Sequence, residues 1–387
     1  MRNYEIKAYI RPDGKVGVRN HVVVLPTVIC SLFTARKIAN MFPQAVCIEN
    51  QHGCCQIGPD LELTTKVLIN TAKNPNVAAV LVVALGCESV PYSKVVKEIE
   101  KTGKPVDLVI IREEGEIKAV EKGIRILRDF IEYADSLKRE KTDISELTVG
   151  IECGGSDWTS AIAANPAAGH VADKLIDLGA TVIFSETTEL IGAEHILARR
   201  AVSKEVAEKL LNIVKGVEEK AKSIGVDIRG GQPTRGNIEG GITTIEEKSL
   251  GAIYKAGTRP LKGVLDYAEA SEEKGLYFMH TPGQDIESIT GMVAGGAQLI
   301  LFTTGLGTPT GNPIAPVIKI TGNPWTYEKM KESIDINAGS IVLGEKTISE
   351  VGEEIFEKLV RVVNGELTKS EILGHREFGI YKLYSTF

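Results

Sequence analysis

Cysteine residues follow four short apolar segments of this 387-residue sequence. Cys30 follows HVVVLPTVI, Cys54 and Cys55 come shortly after AVCIE, Cys87 follows AAVLVVALG, and Cys153 follows LTVGIE. Thiolates bind iron and zinc well, so these positions indicate a metal site, either an iron ion or an iron–sulfur cluster. The alternative is that cysteine is a small residue that proteins commonly bury. The predicted metal ligands are Cys30, Cys55, Cys87 and Cys153, with Cys54 as the alternative to Cys55.

The residues after Cys153 have the composition of an anion-binding loop. Two glycines let the backbone approach a ligand closely, and Asn165 with Pro166 is typical of a helix start, whose free N–H groups favour negative charge. The alternative is a tight strand-to-helix turn in which the polar residues act as local caps. The predicted substrate-binding residues of this loop are Gly154, Gly155, Ser156 and Asp157.

Acidic residues and a histidine follow the apolar segment ATVIFSE. Glu186, Glu189, Glu194 and His195 suit Mg²⁺, Mn²⁺ or Fe²⁺, and they equally suit general acid–base chemistry. The alternative is the start of a helix, where the helix dipole favours acidic side chains, and for Glu189 this alternative has equal weight. We predict that Glu186 is catalytic, that His195 binds the metal, and that His52 of the HGCC motif transfers a proton.

Two further segments carry candidate polar side chains. RPDGKVGVRN places Arg11, Arg19 and Asn20 before the first long apolar segment. Paired arginines can hold a substrate carboxylate, although most arginines simply stay in solvent. HTPGQDIESITG places His280 and Asp285 after the segment GLYFM, and the alternative there is a polar loop in which Asp285 caps a helix.

The apolar segments before these residues are rich in valine and isoleucine and too short for core helices, so buried parallel strands are favoured. Helix-like segments such as KEVAEKLLNIVKGVEEKAKSIG alternate with them. This alternation predicts an α/β fold with two Rossmann-like regions, whose mainly parallel sheets are flanked by helices. Ligands bind outside the carboxyl ends of such strands, so we expect four strand ends to deliver thiols to one sheet edge. The predicted strands are HVVVLPTVI, AVCIE, AAVLVVALG, DLVII, LTVGIE, ATVIFSE, GLYFM and AQLILFTTG.

A hydrophilic, charge-dense segment, SLKREKTDIS (residues 136–145), separates two blocks of such elements. We place a domain boundary there, between an N-terminal α/β domain of residues 1–142 and a Rossmann-like domain of residues 143–387. The glycine-rich segment DIRGGQPTRGNIEGG (residues 227–241) is predicted to be a functional loop of the second domain, because strand-like segments resume after it.

The overall composition argues against several classes of function. The net charge is −6 and no long run of lysine and arginine occurs, so neither nucleic acid nor an anionic membrane is an expected partner. No apolar segment reaches the roughly 18 residues that span a bilayer, and the N-terminus lacks the apolar core of a signal peptide. We therefore expect a cytoplasmic protein whose cysteines are thiols, metal ligands or catalysts rather than disulfides.

An ordered set of motifs between Arg11 and Gly339 resembles the family of altronate and galactarate dehydratases, which also includes the large subunit of sulfolactate sulfo-lyase. The set covers most of the chain, and as an ordered set it is far more specific than any one motif. The motifs are RPDGKVGVRN, PTVICS, HGCC, LGCE, ECGGSDWTSAIAANPA, FSETTELIGAEHIL, GNIEGGITTIEEKSLGAIYKAG, FMHTPG, FTTGLGTPTG and IDINAG.

The resemblance implies a lyase that dehydrates sugar acids with the help of iron or a similar divalent ion, Fe²⁺ first and Mn²⁺ second. It implies a dimerising α/β region, and hence a homodimer, followed by a Rossmann-like domain that carries the metal and substrate site. Full-length relatives often start with a small β-rich domain, whereas this chain begins directly at RPDGKVGVRN. We therefore expect a separate small β-rich subunit as a partner.

This sequence departs from the family pattern at two motifs. The family commonly has Asp where this chain has His280, so an acidic role there is in doubt. The spacing in HGCC is compressed, so either Cys54 or Cys55 can be the equivalent thiol. The hydroxy acid that serves as substrate does not follow from the resemblance, because members of the family act on different acids.

These candidates together suggest a β-elimination. A proton leaves the carbon next to the substrate carboxylate, a cation stabilises the resulting enolate, and a general acid protonates the departing hydroxyl. One rival within the lyase class is loss of sulfite instead of water. A rival of another class is a module that binds a sugar acid without converting it.

Overall fold

A computed structural model describes residues 4–387, so the first three residues of the predicted domain 1–142 lie outside the described residues. The strands are β1 (Glu5–Ile10), β2 (Val16–Gly17), β3 (His21–Pro26), β4 (Ala45–Cys47), β5 (Val77–Ala84), β6 (Val106–Ile110), β7 (Glu140–Asp143), β8 (Thr148–Cys153), β9 (Thr181–Phe184), β10 (Leu261–Leu265), β11 (Leu276–Met279), β12 (Leu299–Thr304), β13 (Val317–Thr321) and β14 (Ile336–Asn337). The α-helices are α1 (Ile29–Ala39), α2 (Gly58–Lys73), α3 (Tyr92–Glu100), α4 (Ile111–Glu114), α5 (Glu116–Ser136), α6 (Asn165–Asp177), α7 (Glu194–Ala198), α8 (Lys204–Ser223), α9 (Arg235–Glu239), α10 (Ile245–Ala252), α11 (Asp285–Ala294), α12 (Pro324–Lys329), α13 (Gly339–Val342), α14 (Ile348–Val363) and α15 (Lys369–Leu373).

A seven-stranded parallel sheet forms the larger part of the molecule, with the strand order β10-β11-β9-β8-β12-β13-β14. The chain enters this sheet at β8, extends to β9 on one side, and later returns to β12 on the other side. Such a reversal is a topological switch point, and open α/β sheets bind ligands in the crevice that it creates. The loops after β8 and β12 are therefore the expected walls of a ligand site.

A four-stranded parallel sheet with the order β4-β3-β5-β6 forms the second sheet. All eight residues of β5 are buried, as expected for a parallel strand covered by helices on both faces. Here the chain enters at β3 and reverses between β4 and β5, so this sheet has a switch point of its own.

Helices α2 and α11 lie side by side between the two sheets, and their apolar residues share one core cluster with strands of both. At one end, Asn74 after α2 donates to the carbonyl oxygens of Val293 and Ala297 beside the end of α11. Each helix begins at the carboxyl edge of its own sheet. Because the two helices end together, both carboxyl edges open toward the same side of the molecule.

The C-terminal tail joins the beginnings of these two helices. The backbone N–H of Leu383 donates to Asp60 in the first turn of α2, and that of Gly379 donates to Thr290 in α11. The rings of Tyr381 and Tyr267 stack edge to face, with centroids 4.7 Å apart. The tail thus crosses the side toward which both carboxyl edges open.

The predicted linker of residues 136–145 contains strand β7, which pairs antiparallel with β1, and β1 also pairs with β2. The segment therefore folds against the N-terminal part of the chain, while the domain boundary itself stays a prediction. The fold class is confirmed, because all eight predicted strands occur and lie in two parallel sheets flanked by helices. None of the helices in residues 4–387 combines the length and apolar character that a bilayer crossing requires.

Candidate functional site

Three carboxylates converge at the carboxyl edge of the seven-stranded sheet. Glu152, Glu186 and Asp285 each offer a potential ligand atom, and these atoms all lie within 4.8 Å of one another. Glu152 is the penultimate residue of β8, Glu186 follows β9, and Asp285 begins α11 after β11. Because β8, β9 and β11 are neighbours in one parallel sheet, their ends bring the three side chains to one point, which we call the carboxylate centre.

Two backbone features position this centre. Glu186 has φ +72°, a conformation that costs energy for a residue with a side chain and that is often retained at functional sites. Gly154 makes room for Asp285, because a Cβ at residue 154 would lie 2.2 Å from Asp285 Oδ2. The absence of a side chain at Gly154 therefore leaves space for the carboxylate of Asp285, whereas the sequence analysis expected this space to be used by a ligand.

Two lysines flank the carboxylate centre. Lys255 Nζ lies 2.5 Å from Glu189 Oε2, and both side chains are 1% exposed. Lys248 Nζ lies 3.7 Å from Glu189 Oε1. With Glu189 included, four carboxylates surround two ammonium groups, so the site has an excess of two negative charges when all are ionised.

Two carboxylate oxygens at the site lack hydrogen-bond partners. Glu186 Oε1 and Glu189 Oε1 are buried, and neither accepts a hydrogen bond from any group in residues 4–387. Leaving a buried charged acceptor unpaired is costly. A divalent cation among Glu152, Glu186 and Asp285 would satisfy the Glu186 oxygen and balance the excess charge, so the residues present fit an oxygen-bound divalent ion.

Burial shifts the pKa values of Glu152, Glu186 and Asp285 upward. It raises the pKa of Glu152 to about 7, against the opposing attraction of Lys255. Burial and repulsion from Glu189 raise the pKa of Asp285 to about 6, and the same causes hold the pKa of Glu186 well above its ordinary value. Groups that resist losing their protons individually are expected to ionise when a cation binds among them.

A cavity of about 140 Å³ adjoins the site. Lys248 lines this cavity, and its Nζ lies 3.7 Å from Glu189 Oε1, so the cavity lies beside the lysine–glutamate group that flanks the carboxylate centre. An ammonium group at the wall of such a cavity can pair with the carboxylate of a small acid. Other lining residues include Ser156, Asp157, Trp158, Ile162, Asn165, Ile242 and Glu247.

The glycine-rich segment of residues 227–241 packs against the loop that follows β8. Asn237 in α9 donates to the carbonyl oxygen of Ser156 at 2.8 Å. Lys248 Nζ donates to Gln232 Oε1 at 2.9 Å. The segment thus borders the cavity, which agrees with its predicted functional role and leaves that role a prediction.

The loop of residues 154–157 differs from the expected anion cradle. The Asp157 carboxylate accepts hydrogen bonds from the backbone of Thr159 and Ser160 and from Asn323 Nδ2, so it caps the following helix. The helix begins at Trp158. The alternative of a strand-to-helix turn with a local cap therefore describes Asp157.

Helix α6 begins at Asn165 with Pro166 in its first turn, as predicted, but Asn165 does not cap a free helix start, because helical turns precede it. A π-helical turn (Ser160–Ala164) precedes α6, and it accommodates Pro166, whose ring would disrupt a regular helical turn. Asn165 Nδ2 instead donates to the carbonyl oxygen of Gly251, and its Oδ1 accepts from Thr303. Of the other loop residues, Gly155 has φ +58° and Ser156 Oγ lies 3.1 Å from Cys153 Sγ.

The three predicted carboxylate binders near the N-terminus lie in internal hydrogen-bond networks. Arg11 is buried and donates to the carbonyl oxygens of Pro75 and Arg19 and to Asn20 Oδ1. Arg19 pairs with Glu371 and with backbone carbonyl oxygens, and Asn20 donates to that of Ala134. These contacts connect the N-terminal segment with distant parts of the chain, at Pro75, Ala134 and Val362. In the described residues, nothing supports substrate binding by these side chains.

The expectation that the thiols share one sheet edge is wrong, because the strands that precede them belong to two sheets. β3, β4 and β5 lie in the four-stranded sheet, whereas β8, which ends in Cys153, lies in the seven-stranded sheet. Cys153 is buried, and burial raises the pKa of its thiol. The four thiols exposed at the four-stranded sheet are Cys30, Cys54, Cys55 and Cys87.

The candidate histidines lie in different places. His195 is exposed on α7 and, among residues 4–387, belongs to no group of three potential metal ligands. His52 follows β4, and its Nε2 lies 2.8 Å from the carbonyl oxygen of Ile380 in the tail. His280 Nδ1 lies 2.7 Å from Thr187 Oγ1, and burial lowers the pKa of His280.

Sequence reasoning missed Glu152, Lys248 and Lys255. Glu152 is the charged residue within the apolar strand β8. A carboxylate in a fully buried strand is unusual, and this signal was available in the sequence. The two lysines stand in ordinary helical patterns, and nothing in the sequence distinguishes them from surface lysines.

Two family models match the chain. Residues 144–386 match the model described as D-galactarate/Altronate dehydratase, C-terminal. Residues 8–135 match the model described as D-galactarate dehydratase/Altronate hydrolase, second domain.

Three characterised relatives are similar over almost the whole chain. The (2R)-sulfolactate sulfo-lyase subunit beta of Chromohalobacter salexigens is 42% identical over 98% of this chain and 97% of its own length. The altronate dehydratase of Bacillus subtilis is 34% identical over 98% of this chain and 78% of its own. The galactarate dehydratase (L-threo-forming) of Escherichia coli is 32% identical over 95% of this chain and 74% of its own.

Proposed function

We propose that this chain, which belongs to the D-galactarate/altronate dehydratase family, is a lyase that removes water from a sugar acid or a related hydroxy acid such as altronate or galactarate. The observation that carries the proposal is the carboxylate centre, whose three carboxylates converge near a cavity that Lys248 lines. Enolate formation requires that arrangement, because positive charge must face the oxygens on which negative charge develops.

We propose that Glu152, Glu186 and Asp285 hold a divalent ion. Carboxylate oxygens favour Mg²⁺, Mn²⁺ and Fe²⁺, and the family resemblance favours Fe²⁺ over Mn²⁺. When bound, the ion supplies Lewis-acid stabilisation of developing negative charge on the substrate. Glu186, which the sequence predicts to be catalytic, thus serves in this proposal as an ion ligand.

Lys248 is the proposed partner of the substrate carboxylate. Lys248 lines the cavity, and its Nζ lies 3.7 Å from the carboxylate of Glu189. An acid that enters the cavity would replace this long contact with a direct ion pair. The same ammonium group would then stabilise the enolate that forms when the neighbouring carbon loses its proton.

His52 is the proposed proton carrier. A carbonyl oxygen accepts hydrogen bonds, so the 2.8 Å contact with Ile380 requires the hydrogen on His52 Nε2 and leaves Nδ1 as an acceptor. In the proposed reaction, Nδ1 takes the proton from the carbon next to the carboxylate. It then returns this proton to the departing hydroxyl, which leaves as water, and the resulting enol rearranges to a keto acid.

Loss of sulfite is the second candidate reaction. Two observations favour it: the 42% identity with the sulfo-lyase subunit, and the coverage of 97% of that protein against 78% and 74% of the two dehydratases. The chemistry at the carboxylate centre is the same in both reactions. The difference lies in the group on the adjacent carbon, which departs as sulfite and needs no proton from His52.

We further propose a homodimer and a separate small β-rich subunit as partners. The name "subunit beta" of the sulfo-lyase relative supports a multisubunit arrangement. Helix α1 supports a protein contact, because Ile29, Phe33 and the nearby Met41 expose 44%, 64% and 59% of their surfaces. Mass measurement in solution, with and without a co-expressed small chain, tests this arrangement.

A direct assay tests the function. The full chain, purified without air both alone and with a co-expressed small chain and supplied with Fe²⁺, is incubated separately with altronate, galactarate and (2R)-sulfolactate, and keto acid and sulfite are measured. Keto acid from a sugar acid supports the dehydratase, and keto acid together with sulfite from sulfolactate supports the second candidate. Thermal stabilisation by these acids without any product would contradict both and leave a binding module.

A further inference from the structure

Four thiols at the carboxyl edge of the four-stranded sheet are not used by the proposed reaction. Cys30, Cys54, Cys55 and Cys87 are all exposed free thiols. Cysteine is among the residue types that proteins bury most often, so four exposed thiols at one sheet edge call for an explanation. We call this group the thiol rim.

Direct contacts hold the three loops of the thiol rim together. The backbone N–H of Ile29, next to Cys30, donates to the carbonyl oxygen of His52 at 2.9 Å. The backbone N–H of Ser89 donates to the carbonyl oxygen of Gly53, next to Cys54, also at 2.9 Å. Each of the three loops thus has a cysteine within two residues of an inter-loop hydrogen bond.

Two further contacts fix the same loops. Gly53 packs so tightly that a Cβ there would lie 2.2 Å from the carbonyl oxygen of Thr27. Thr27 Oγ1 donates to Glu88 Oε1 at 2.6 Å, and the other Glu88 oxygen accepts from the backbone N–H of Gly86. The loops after β3 and β5 are therefore joined at the switch point of this sheet, where parallel α/β sheets bind their ligands.

The spacing of the thiols argues against a single tetrahedral ion. Metal–sulfur bonds of about 2.3 Å place two thiolates of such an ion about 3.8 Å apart. Cys54 Sγ and Cys55 Sγ are 3.7 Å apart, but within residues 4–387 no third ligand joins them in a group of atoms closer than 4.8 Å. Thiolates that are farther apart suit a polynuclear cluster, whose ligands bind different iron atoms.

We propose that the thiol rim binds an iron–sulfur cluster through Cys30, Cys87 and one thiolate of the Cys54–Cys55 pair. Each ligating thiol loses its proton and forms a sulfur–iron bond to a preassembled cluster, so no change of oxidation state is required. This centre is separate from the carboxylate centre, because the thiols follow strands of the four-stranded sheet and the carboxylates lie at strand ends of the seven-stranded sheet. Its donors are soft sulfur atoms, whereas those of the carboxylate centre are hard oxygen atoms. The proposal is independent of the reaction that the chain catalyses.

The test is an analysis of the full chain purified without air. We expect iron and acid-labile sulfide in comparable amounts, together with the broad visible absorbance of a cluster. Cys30→Ser, Cys87→Ser and the double variant Cys54→Ser/Cys55→Ser should each lose the sulfide. Cys47→Ser is the matched control, because Cys47 lies within β4 and burial raises the pKa of its thiol to about 12, which makes it a poor ligand.

Two further measurements keep the proposal falsifiable if a variant fails to fold. In the wild-type protein, Cys30, Cys87 and one of the two thiols Cys54 and Cys55 should resist alkylation until a chelator removes the iron, as peptide mass spectrometry would detect. The variant Asp285→Asn should retain the sulfide, because it alters only the carboxylate centre. Anaerobic protein without sulfide, sulfide that persists in the three rim variants, or rim thiols that alkylate fully from the start would each overturn the proposal.

Discussion

Lys255 and Glu189 form a fully buried ion pair beside the carboxylate centre, with Nζ 2.5 Å from Oε2 and each side chain 1% exposed. Burial alone would lower the pKa of Lys255, but the attraction of Glu189 first, and of Glu152 and Glu186, outweighs it and raises this pKa. The lysine therefore stays charged and offsets part of the negative charge that the site concentrates.

Removing this lysine should destabilise the protein strongly. Lys255→Met leaves Glu189 buried without its closest counter-charge, and breaking a buried pair from one side typically costs about 3–5 kcal/mol. The check is the urea midpoint of the unfolding transition, followed by circular dichroism. The exposed pair Lys262–Glu273 provides the control, since Lys262→Met should leave the midpoint unchanged. Equal midpoints for both variants would contradict the importance of the buried pair.

Gly154→Ala should weaken the carboxylate centre without altering the backbone. The added Cβ would lie 2.2 Å from Asp285 Oδ2, so the carboxylate must move away from Glu152 and Glu186. We expect divalent-ion affinity and turnover to fall about 10–100-fold, as when outer contacts of a metal site are lost. Gly216→Ala on α8 is the matched control, because its Cβ would meet nothing within 4 Å. A Gly154→Ala enzyme that binds metal like the wild type would show that Asp285 is not a ligand.

The pH dependence of stability should reveal the raised carboxylate pKa values in metal-free protein. The folded state holds the Glu152 pKa at about 7 and the Asp285 pKa at about 6, above the ordinary values of 4.5 and 3.8 that apply when unfolded. The folded state therefore binds more protons in this range, and the free energy of unfolding should decrease as pH rises from about 4.5 to 7. Urea melts at several pH values measure this decrease, and Glu152→Gln should flatten it.

The affinity for a divalent ion should increase over the same pH range in which the free energy of unfolding decreases. Protons compete with the ion for these carboxylates, so the affinity for Fe²⁺ or Mn²⁺ should increase as pH rises through 6 and 7. Calorimetric titration with Mn²⁺ measures this affinity without interference from oxidation. An affinity that does not vary between pH 5.5 and 7.5 would mean that the ion binds elsewhere.

The elements that position the site could be predicted from the sequence better than the site itself. Continuous apolar segments identified eight parallel strands, because burial on both faces demands valine and isoleucine throughout. The strands β10 and β13 were missed, since LKGVL and VIKIT each contain a lysine. In β13 this is Lys319, which is fully buried and donates to the carbonyl oxygens of Pro309 and Thr310. No local sequence pattern predicts such a tertiary contact.

The site was only half predictable for a related reason. Glu186 and Asp285 follow strands, where a strand-end rule finds them, whereas Glu152 lies inside β8 and the same rule passes over it. The rule that functional residues follow strand ends also does not say which sheet a strand joins. It therefore grouped Cys153, at the end of a strand in the seven-stranded sheet, with the thiols of the four-stranded sheet. Sheet membership depends on the crossover connections and helix packing, and neither is encoded within a single strand.

His52→Asn should abolish most of the turnover while leaving substrate binding largely intact. Asparagine keeps a polar group near the carbonyl oxygen of Ile380 but offers no nitrogen that can carry the proton, and loss of a general base typically lowers kcat about 10²–10⁴-fold. The measurement is kcat and KM with the acid that the assay identifies as substrate. His170→Asn is the control, because His170 lies on α6 beside Glu353 and has no part in the proposed reaction. A kcat for His52→Asn within a few-fold of wild type would show that His52 does not carry the proton. A residue of the carboxylate centre would then have to do so.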